Sequence, residues 1–252
     1  MIAVTRDEPD KKIAQGALGS RPLYAQVRDL LIARISSGAW QPGDLIPNEF
    51  AIARELGVSQ GTIRKALDSL AADNLLMRKQ GRGTYVARHT PADMLFRFFN
   101  FFDAKGERIE PGSRDVQLSQ GRASTPERQR LELGAAAKVI RISRLRTRAG
   151  EAFILETIVL PETFFPGLAQ ASRIPNTLYD HFQKAYGITV ARGQERLTVA
   201  LADVHLADRL GVVPGTPLMK LDRVMYGLQQ QPVEWRVSLC RTDSAAYVVE
   251  LR

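Results

Sequence analysis

The clearest hydrophobic pattern in the chain lies between residues 48 and 72. Two short segments there carry apolar side chains at helical spacing: Ala51, Ile52 and Leu56 in the first, and Ile63, Ala66, Leu67 and Leu70 in the second. Asn48 and Ser59 precede the segments, and such residues accept hydrogen bonds from the free N–H groups of a first helical turn. Gly57 separates the segments, since glycine readily adopts the left-handed conformation that ends a helix. The pattern predicts two amphipathic helices joined by a tight turn.

Further elements are predicted on both sides of these helices. An earlier helix that ends near Gly38 is indicated by the apolar positions Leu23, Val27, Leu30, Leu31 and Ile35. A hairpin follows, with strands from Leu75 to Arg78 and from Thr84 to Val86 around a basic tip at Lys79–Gly83. We therefore expect one compact unit between residues 21 and 88.

The two central helices have the spacing of a helix-turn-helix, whose second helix enters the major groove of DNA by its N-terminal residues. The residues at that position are small, polar or cationic, which suits base edges and phosphates. They are Ser59, Gln60, Gly61, Thr62, Arg64 and Lys65. The basic hairpin beside them, with Arg82 at its tip, is expected to act as a wing that contacts phosphate or the minor groove.

The segment from Pro22 to Ala87 resembles the winged-helix domain of GntR-type bacterial transcription regulators. The shared landmarks are Gly38, Pro42-Gly43, Pro47, Glu49, Gly57-Val58-Ser59, Thr62-Ile63-Arg64, Ala66-Leu67 and Gly81-Arg82-Gly83-Thr84. The complete set of expected DNA-binding residues is Asn48, Glu49, Ser59, Gln60, Gly61, Thr62, Arg64, Lys65, Arg82 and Gly83. Phe50 and Gln60 stand where members of the family often have arginine. Glutamine pairs with adenine about as naturally as arginine pairs with guanine, so the base choice is expected to differ.

The second half of the chain shows two similar units of helix, strand, turn and strand. The first has a helix ending at Leu133-Gly134, a strand ending at Arg146, a turn at Ala149-Gly150 and a strand over Phe153–Leu160. The second has a helix ending at Leu210-Gly211, a strand over Leu218–Tyr226, a turn at Gly227 and a strand over Val233–Cys240. A helix from about 176 to 186 lies between the units. They predict an antiparallel sheet flanked by helices.

One of these strands brings charge onto an apolar face. Period-two alternation places Ile140, Ile142, Arg144 and Arg146 on the same side. A buried arginine requires an anionic partner, and a pair of guanidinium groups suits a phosphate, sulfate or carboxylate. The pattern allows an alternative, in which the strand frays at this end and water surrounds both arginines.

Residues 94–252 resemble UTRA, the effector-sensing domain of the HutC-type branch of GntR regulators. The matching pieces are Arg144-Leu145-Arg146, Gly150 through Glu156, Leu160-Pro161, Phe164–Leu168, Thr177-Leu178-Tyr179, Tyr186-Gly187, Leu210-Gly211 and Pro232-Val233-Glu234. The resemblance implies effector contacts by Arg144, Arg146, Glu156, Thr177, Tyr179 and Glu234. Structural salt bridges are the alternative for the two glutamates, and helix capping or core packing is the alternative for Thr177 and Tyr179. Arg236 and Tyr226 are weaker candidates, whereas the alternation around Trp235 indicates a core residue.

Composition agrees with a protein that binds a polyanion. The net charge is +8 and the isoelectric point is near 9.9, while hydrophobic residues make up 44% of the chain. Cys240 is the single cysteine and there are three scattered histidines, so we expect no intramolecular disulfide and no metal site. No cofactor is expected either. Since the sequence has no signal peptide or long apolar run, we expect a cytoplasmic protein without membrane contact.

The predicted fold class is mixed α/β in two domains. Residues 1–20 are expected to form a disordered leader, 21–88 a winged helix-turn-helix, 89–93 a linker, and 94–252 an α+β effector and dimerisation domain that resembles the chorismate lyase fold. The aromatic stretch Met94–Phe102 is expected to form a buried strand or an interface segment.

The predicted function is that of a DNA-binding transcription regulator, acting as a repressor. We expect a homodimer on a two-fold-symmetric operator, released or strengthened by a small anionic effector. One alternative is an enzyme that acts on an acidic small molecule through the second domain, although no nucleophile–base pair or cofactor loop is visible. Another is an architectural DNA-binding protein that binds no ligand.

Overall fold

The computed structural model describes residues 21–87, 98–243 and 245–249, and the chain divides into two compact units, 1–88 and 89–252. The predicted leader (1–20) and linker (89–93) lie outside the described residues, as do residues 94–97 of the aromatic stretch. Each unit is described by itself.

The N-terminal unit contains three helices and a two-stranded hairpin. Its elements are α1 (Leu23–Ser36), α2 (Glu49–Leu56), α3 (Gln60–Ala72), β1 (Leu76–Lys79) and β2 (Gly83–Val86). The predicted inner face of α3 is buried, and it packs with Val27, Leu31 and Ile32 of α1. The prediction that Leu23 is a core residue is wrong, because its side chain lies in the first turn of α1 and is 43% exposed.

The predicted helix caps are confirmed. Asn48 Oδ1 accepts a hydrogen bond from the Ala51 amide at 2.8 Å, and Ser59 Oγ accepts one from the Thr62 amide at 3.1 Å. Gly57 ends α2 with a φ of 66°. These three local interactions fix the turn between α2 and α3, which determines how the N-terminus of α3 is presented to solvent.

The C-terminal unit is built on a six-stranded antiparallel sheet with the strand order β4-β5-β6-β9-β8-β7. Its elements in chain order are β3 (Phe101–Phe102), β4 (Gly112–Arg122), α4 (Thr125–Leu131), β5 (Lys138–Arg148), β6 (Glu151–Pro161), α5 (Leu178–Tyr186), β7 (Val190–Leu201), α6 (Val204–Leu210), β8 (Pro217–Gly227), β9 (Pro232–Cys240) and β10 (Ala246–Tyr247). Two short 3-10 turns lie at Glu162–Phe164 and Leu168–Gln170, and β3 pairs with β10.

The predicted hairpins are present, and one predicted helix end is displaced. Ala149 and Gly150 both have positive φ, 49° and 87°, as a two-residue hairpin turn between twisted strands requires. Gly211 ends α6 in the left-handed conformation, as predicted. The helix α4, in contrast, ends at Leu131, because Glu132 adopts the left-handed conformation (φ 54°) before Leu133-Gly134 is reached.

The two faces of the sheet carry separate cores. On one face, Ile140, Ile142, Ile158 and Leu160 pack with α5 through Leu178 and Phe182. On the other face, α4 and α6 contribute Leu131 and Leu210 to two smaller clusters. The arginine and glutamate side chains of the candidate effector pocket lie on the same face of the sheet as α5, next to these apolar residues.

Candidate effector pocket and nucleic-acid interface

The register of the sheet brings the predicted effector residues together. Arg144 on β5 pairs with Glu156 on β6, which pairs with Ser238 on β9. In the neighbouring row, Arg236 on β9 pairs with Arg223 on β8. Because side chains at paired positions of a sheet point to the same face, these charged groups form one patch beside the apolar core.

Within this patch, the carboxylates and guanidinium groups form a continuous chain of ion pairs. Arg144 Nε donates to Glu156 Oε2 at 2.7 Å, and an Arg236 Nη donates to Glu156 Oε1 at 3.2 Å. Arg236 also donates from Nε and Nη to the two oxygens of Glu234, at 2.9 and 3.0 Å. The Tyr179 hydroxyl donates to Glu234 Oε1 at 2.9 Å. All five side chains are buried.

Arg146 is fully buried, but its charge is only partly neutralised by neighbouring carboxylates. Its side chain is 1% exposed, its nearest carboxylate oxygen is on Glu156 at 4.0 Å, and it donates to Asn176 Oδ1 at 2.6 Å and to the Ser113 hydroxyl. Its Nε has no hydrogen-bond partner within the part of the chain that the structure describes. The predicted alternative of solvated arginines is wrong, because Arg144 and Arg146 are 2% and 1% exposed.

The pKa values of Glu156 and Arg146 respond differently to their buried surroundings. Burial alone would raise the pKa of Glu156, but the guanidinium groups of Arg144, Arg236 and Arg146 outweigh it and hold that pKa well below its usual value. Burial, reinforced by repulsion from Arg144, lowers the pKa of Arg146 to about 9. Arg146 therefore remains charged at pH 7 while lacking a full counter-charge.

These groups line a small cavity of about 30 Å³. Of the predicted residues, Arg144, Arg146, Glu156, Thr177 and Tyr179 line the cavity. Glu234 lies behind the lining, where Tyr179 and Arg236 hold it. Thr177 occupies the position before α5, but its side chain makes no capping hydrogen bond.

Sequence reasoning missed several lining residues, among them Arg223, Asn176 and Ser238. Arg223 stands on the predicted strand 218–226, but only the pairing of β8 with β9 shows that it joins the patch. Its Nε donates to Glu195 Oε1 of β7 at 2.7 Å. Asn176 shows no distinctive signal in the sequence, because its amide lies 30 residues from the arginine that it contacts.

In the N-terminal unit, six of the ten predicted DNA-binding residues lie at the start of α3. Ser59, Gln60, Gly61 and Arg64 are exposed there, and the Thr62 hydroxyl hydrogen-bonds with the Ser59 hydroxyl at 2.9 Å. Asn48, although exposed, uses its side-chain oxygen to cap α2. Arg82 and Gly83 lie exposed at the hairpin tip.

The charged groups of this surface are partly paired with one another. Arg64 Nε donates to Glu49 Oε2 at 3.0 Å, and Arg78 contacts Asp68 at 2.6 Å and Glu49 at 3.5 Å. Arg64 is nevertheless 62% exposed, so its guanidinium can reach a second partner. The Lys65 ammonium lies 4.2 Å from the centre of the Tyr24 ring of α1, so this lysine has a structural contact of its own.

The described residues contain neither a cluster that could hold a metal ion nor a helix that could span a membrane. No cluster of three or more His, Cys, Asp or Glu side chains able to hold a metal ion occurs among them. Within the same ranges, no helix is long and apolar enough to span a membrane.

Comparison with known proteins identifies both units. The family described as bacterial regulatory proteins, gntR family, matches residues 23–86, and the UTRA domain matches residues 106–246. The chain belongs to the GntR family. With a UTRA domain following the winged helix, it is a GntR regulator of the HutC type.

Relatives and solved structures agree with this assignment. The HTH-type transcriptional repressor NagR of Bacillus subtilis (strain 168) is 29% identical over 231 residues, which cover 90% of this chain and 93% of NagR. The histidine utilization repressor of Pseudomonas putida is 28% identical over 222 residues, 88% of each chain. The crystal structure of PhnF from Mycobacterium smegmatis superposes with a TM-score of 0.55 at 27% identity, covering 92% of this chain and 99% of PhnF.

This GntR-family chain is a DNA-binding transcriptional repressor regulated by a small-molecule effector. The enzyme that the sequence left open as an alternative does not hold, because the family and the relatives are transcription regulators. The ligand-free architectural protein does not hold either, since the second unit is a UTRA domain.

Proposed function

We propose that the effector is an anion and that it binds in the cavity between Arg144, Arg146 and Arg236. The observation that carries this proposal is the incomplete neutralisation of Arg146, a buried guanidinium whose Nε has no partner among the residues described. Burying a charge without a counter-charge costs free energy, and an anion bound at this position would reduce that cost. A carboxylate or phosphate oxygen would accept from the free Nε.

The other predicted effector residues take supporting roles in this proposal. The Thr177 hydroxyl, which lines the cavity and caps no helix, would contact the ligand directly. Glu156 would keep Arg144 and Arg236 in place, and Glu234 with Tyr179 would fix Arg236 from behind. Effector binding then alters operator affinity because the ligand binds the DNA-competent and DNA-incompetent states unequally. Such coupling is typically worth ~1–3 kcal/mol, or roughly 5- to 150-fold in affinity.

On the DNA side, we propose that the N-terminus of α3 enters the major groove. Gln60 and Arg64 would contact base edges, while Ser59, Gly61 and Thr62 would approach the backbone. Arg82 and Gly83 would place the wing against phosphate or the minor groove. Glu49 would orient Arg64, and Asn48 would act by capping α2. Lys65, which lies over Tyr24, would contribute mainly long-range attraction.

We further propose a homodimer that acts in the cytoplasm on a two-fold-symmetric operator. Support comes from the edge strand β7, whose outer part carries the exposed apolar side chains Leu197, Val199 and Leu201. Val199 is 72% exposed. An exposed edge strand with an apolar row is a surface on which a second copy can pack.

Selection from a random DNA library tests the DNA-binding proposal. The wild-type chain is expected to select a palindromic consensus, and Gln60→Ala to lose preference at one position in each half-site, worth about 1–3 kcal/mol per base pair. Arg64→Ala is expected to lose most specific binding, with Lys65→Ala as a control that keeps the consensus and reduces only the salt dependence. Normal operator binding by Arg64→Ala, or a consensus without symmetry, would contradict the proposed docking.

A further inference from the structure

Phe50 is an exposed aromatic side chain in the first turn of α2. It is 63% exposed, whereas every other phenylalanine, tyrosine and tryptophan of the described residues is at least partly covered. Single exposed apolar side chains are common on protein surfaces, so exposure alone assigns no role to Phe50. What distinguishes Phe50 is its position beside the start of α3.

The side chains of α2 point in three directions. Ile52 and Ala53 are buried in the core of the unit. Glu55 lies on one flank of the helix and pairs with Arg34 of α1 at 2.6 Å. Phe50 lies on the opposite flank, because residues 50 and 55 are about 140° apart around a helix of 3.6 residues per turn. Phe50 therefore points away from α1 and is open to a partner outside the unit.

The residue before Phe50 connects this flank of α2 to α3. Glu49 accepts a hydrogen bond from Arg64 Nε at 3.0 Å, and Arg78 of β1 lies 3.5 Å from the same carboxylate. The two guanidinium groups neutralise Glu49, so this end of α2 can approach a polyanion without strong repulsion. Because neighbouring Cα atoms are about 3.8 Å apart, Phe50 lies one residue from a side chain that contacts Arg64.

A phenyl ring beside the major groove can recognise one group on the base edges by apolar contact. Guanine, adenine and cytosine present hydrogen-bond donors and acceptors in this groove, whereas thymine also presents a C5-methyl group. The ring of Phe50 has no hydrogen-bonding atom, but it removes a methyl group from water when the two come into contact. Gln60, the first residue of α3, suits an adenine. Both side chains therefore favour A·T base pairs.

We propose that Phe50 contacts the C5-methyl group of a thymine in each operator half-site and thereby determines the base at that position. The thymine lies next to the base pair that Arg64 contacts. This inference rests on the proposed function, namely that the N-terminus of α3 enters the major groove, and it adds one residue and one base to that interface.

Replacement of single thymines by deoxyuridine tests this contact, because the two bases differ only in the methyl group. The DNA is the consensus selected by the wild-type full chain, with one thymine position of the half-site replaced at a time. Affinity is measured by fluorescence anisotropy. At one position, the replacement is expected to weaken wild-type binding about fourfold in each half-site, which corresponds to the burial of one methyl-sized group.

Two variants assign this preference to the ring. Phe50→Ala is expected to bind the operator at least about fourfold more weakly and to bind the thymine and deoxyuridine forms equally well. Phe50→Leu keeps an apolar side chain and should retain most of the preference for thymine. Neither variant should change the Tm or the affinity for random DNA, since the ring is exposed and contacts no phosphate.

Leu23→Ala is the matched control for these variants. Leu23 is also an exposed apolar residue in the first turn of a helix of the same unit, and no DNA contact is proposed for it. This variant should keep the wild-type operator affinity and the wild-type sensitivity to deoxyuridine.

Failure of this inference differs from failure of the proposed docking. If Arg64→Ala loses specific binding but Phe50→Ala discriminates between thymine and deoxyuridine as the wild type does, the docking stands and the thymine contact is wrong. The contact is also wrong if Phe50→Ala weakens binding to operator and random DNA equally, as expected for a ring that packs against a second copy of the chain. If Arg64→Ala binds the operator normally, the docking and the contact are both wrong.

Discussion

At the scale of single residues, the effector domain is unusual in the number of charges that it buries. Glu156 is the residue on which the arrangement depends, because its two oxygens hold Arg144 and Arg236, and Arg146 lies 4.0 Å away. A buried pair of this kind contributes little net stability relative to apolar residues, yet removing one partner leaves uncompensated charge in a medium of low polarity.

Glu156→Gln is therefore expected to destabilise the effector domain by about 3–5 kcal/mol at pH 7, measured by urea denaturation. The same carboxylate also predicts how the stability changes with pH. The pKa of Glu156 is lowered on folding, so the unfolded chain takes up a proton below about pH 5 while the folded chain does not. Wild-type stability should consequently fall as the pH drops from about 5, and this decline should be weaker in Glu156→Gln.

Glu110→Gln serves as the control for this experiment, because Glu110 is exposed and belongs to the same unit. It should keep the wild-type stability and the wild-type pH dependence. The account would be contradicted if Glu156→Gln were as stable as the wild type, or if it lost as much stability as the wild type below about pH 5. Either result would mean that the carboxylate does not pair with the arginines in the dissolved protein.

At the scale of helices and strands, sequence reasoning succeeded where the determinants were local. The caps at Asn48 and Ser59 and the turn at Ala149-Gly150 depend on a few neighbouring residues, and all three were predicted. The end of α4 was misplaced because glutamate seldom adopts positive φ, whereas Glu132 does so here.

The candidate effector cavity was predicted only in part, because it depends on strand order. Period-two alternation sufficed to place Arg144 and Arg146 on one face. Arg223 enters the patch because β8 pairs with β9, and Asn176 because the segment before α5 crosses the end of β5. Neither the strand pairing nor the contact with Asn176 produces a periodic signal in the sequence, since both connect residues that are distant along the chain.

The wing hairpin offers a prediction at this scale. Gly83 has a φ of 102°, which lies outside the left-handed region that L residues can enter, whereas Gly81 has a φ of 70°, at the edge of that region. A Cβ on residue 83 would also lie 2.7 Å from Leu45 Cδ1, but this is the end of an exposed side chain that can turn away. Gly83→Ala should therefore cost more stability than Gly81→Ala, which incurs only the backbone strain of about 1–2 kcal/mol. Thermal melting of the two variants measures the difference. Equal losses would contradict the proposed difference in backbone strain between the two positions.

At the scale of the whole molecule, the two units divide the work of a repressor. In the proposal, α3 and the wing of the GntR unit form the DNA-reading surface, and the charged cavity of the UTRA unit is the effector site. The account requires that occupancy of one site alters affinity at the other, and thermodynamic linkage makes this coupling reciprocal.

The most direct test measures operator affinity of the full-length chain by fluorescence anisotropy, with and without each member of a panel of aromatic acids, other acidic metabolites and sugar phosphates. The operator is the consensus selected by the wild-type protein. The account predicts that at least one anion changes the Kd by roughly 5- to 150-fold, and that Arg146→Met binds the operator normally but no longer responds. An undiminished response in Arg146→Met, or no response to any anion in the panel, would contradict it.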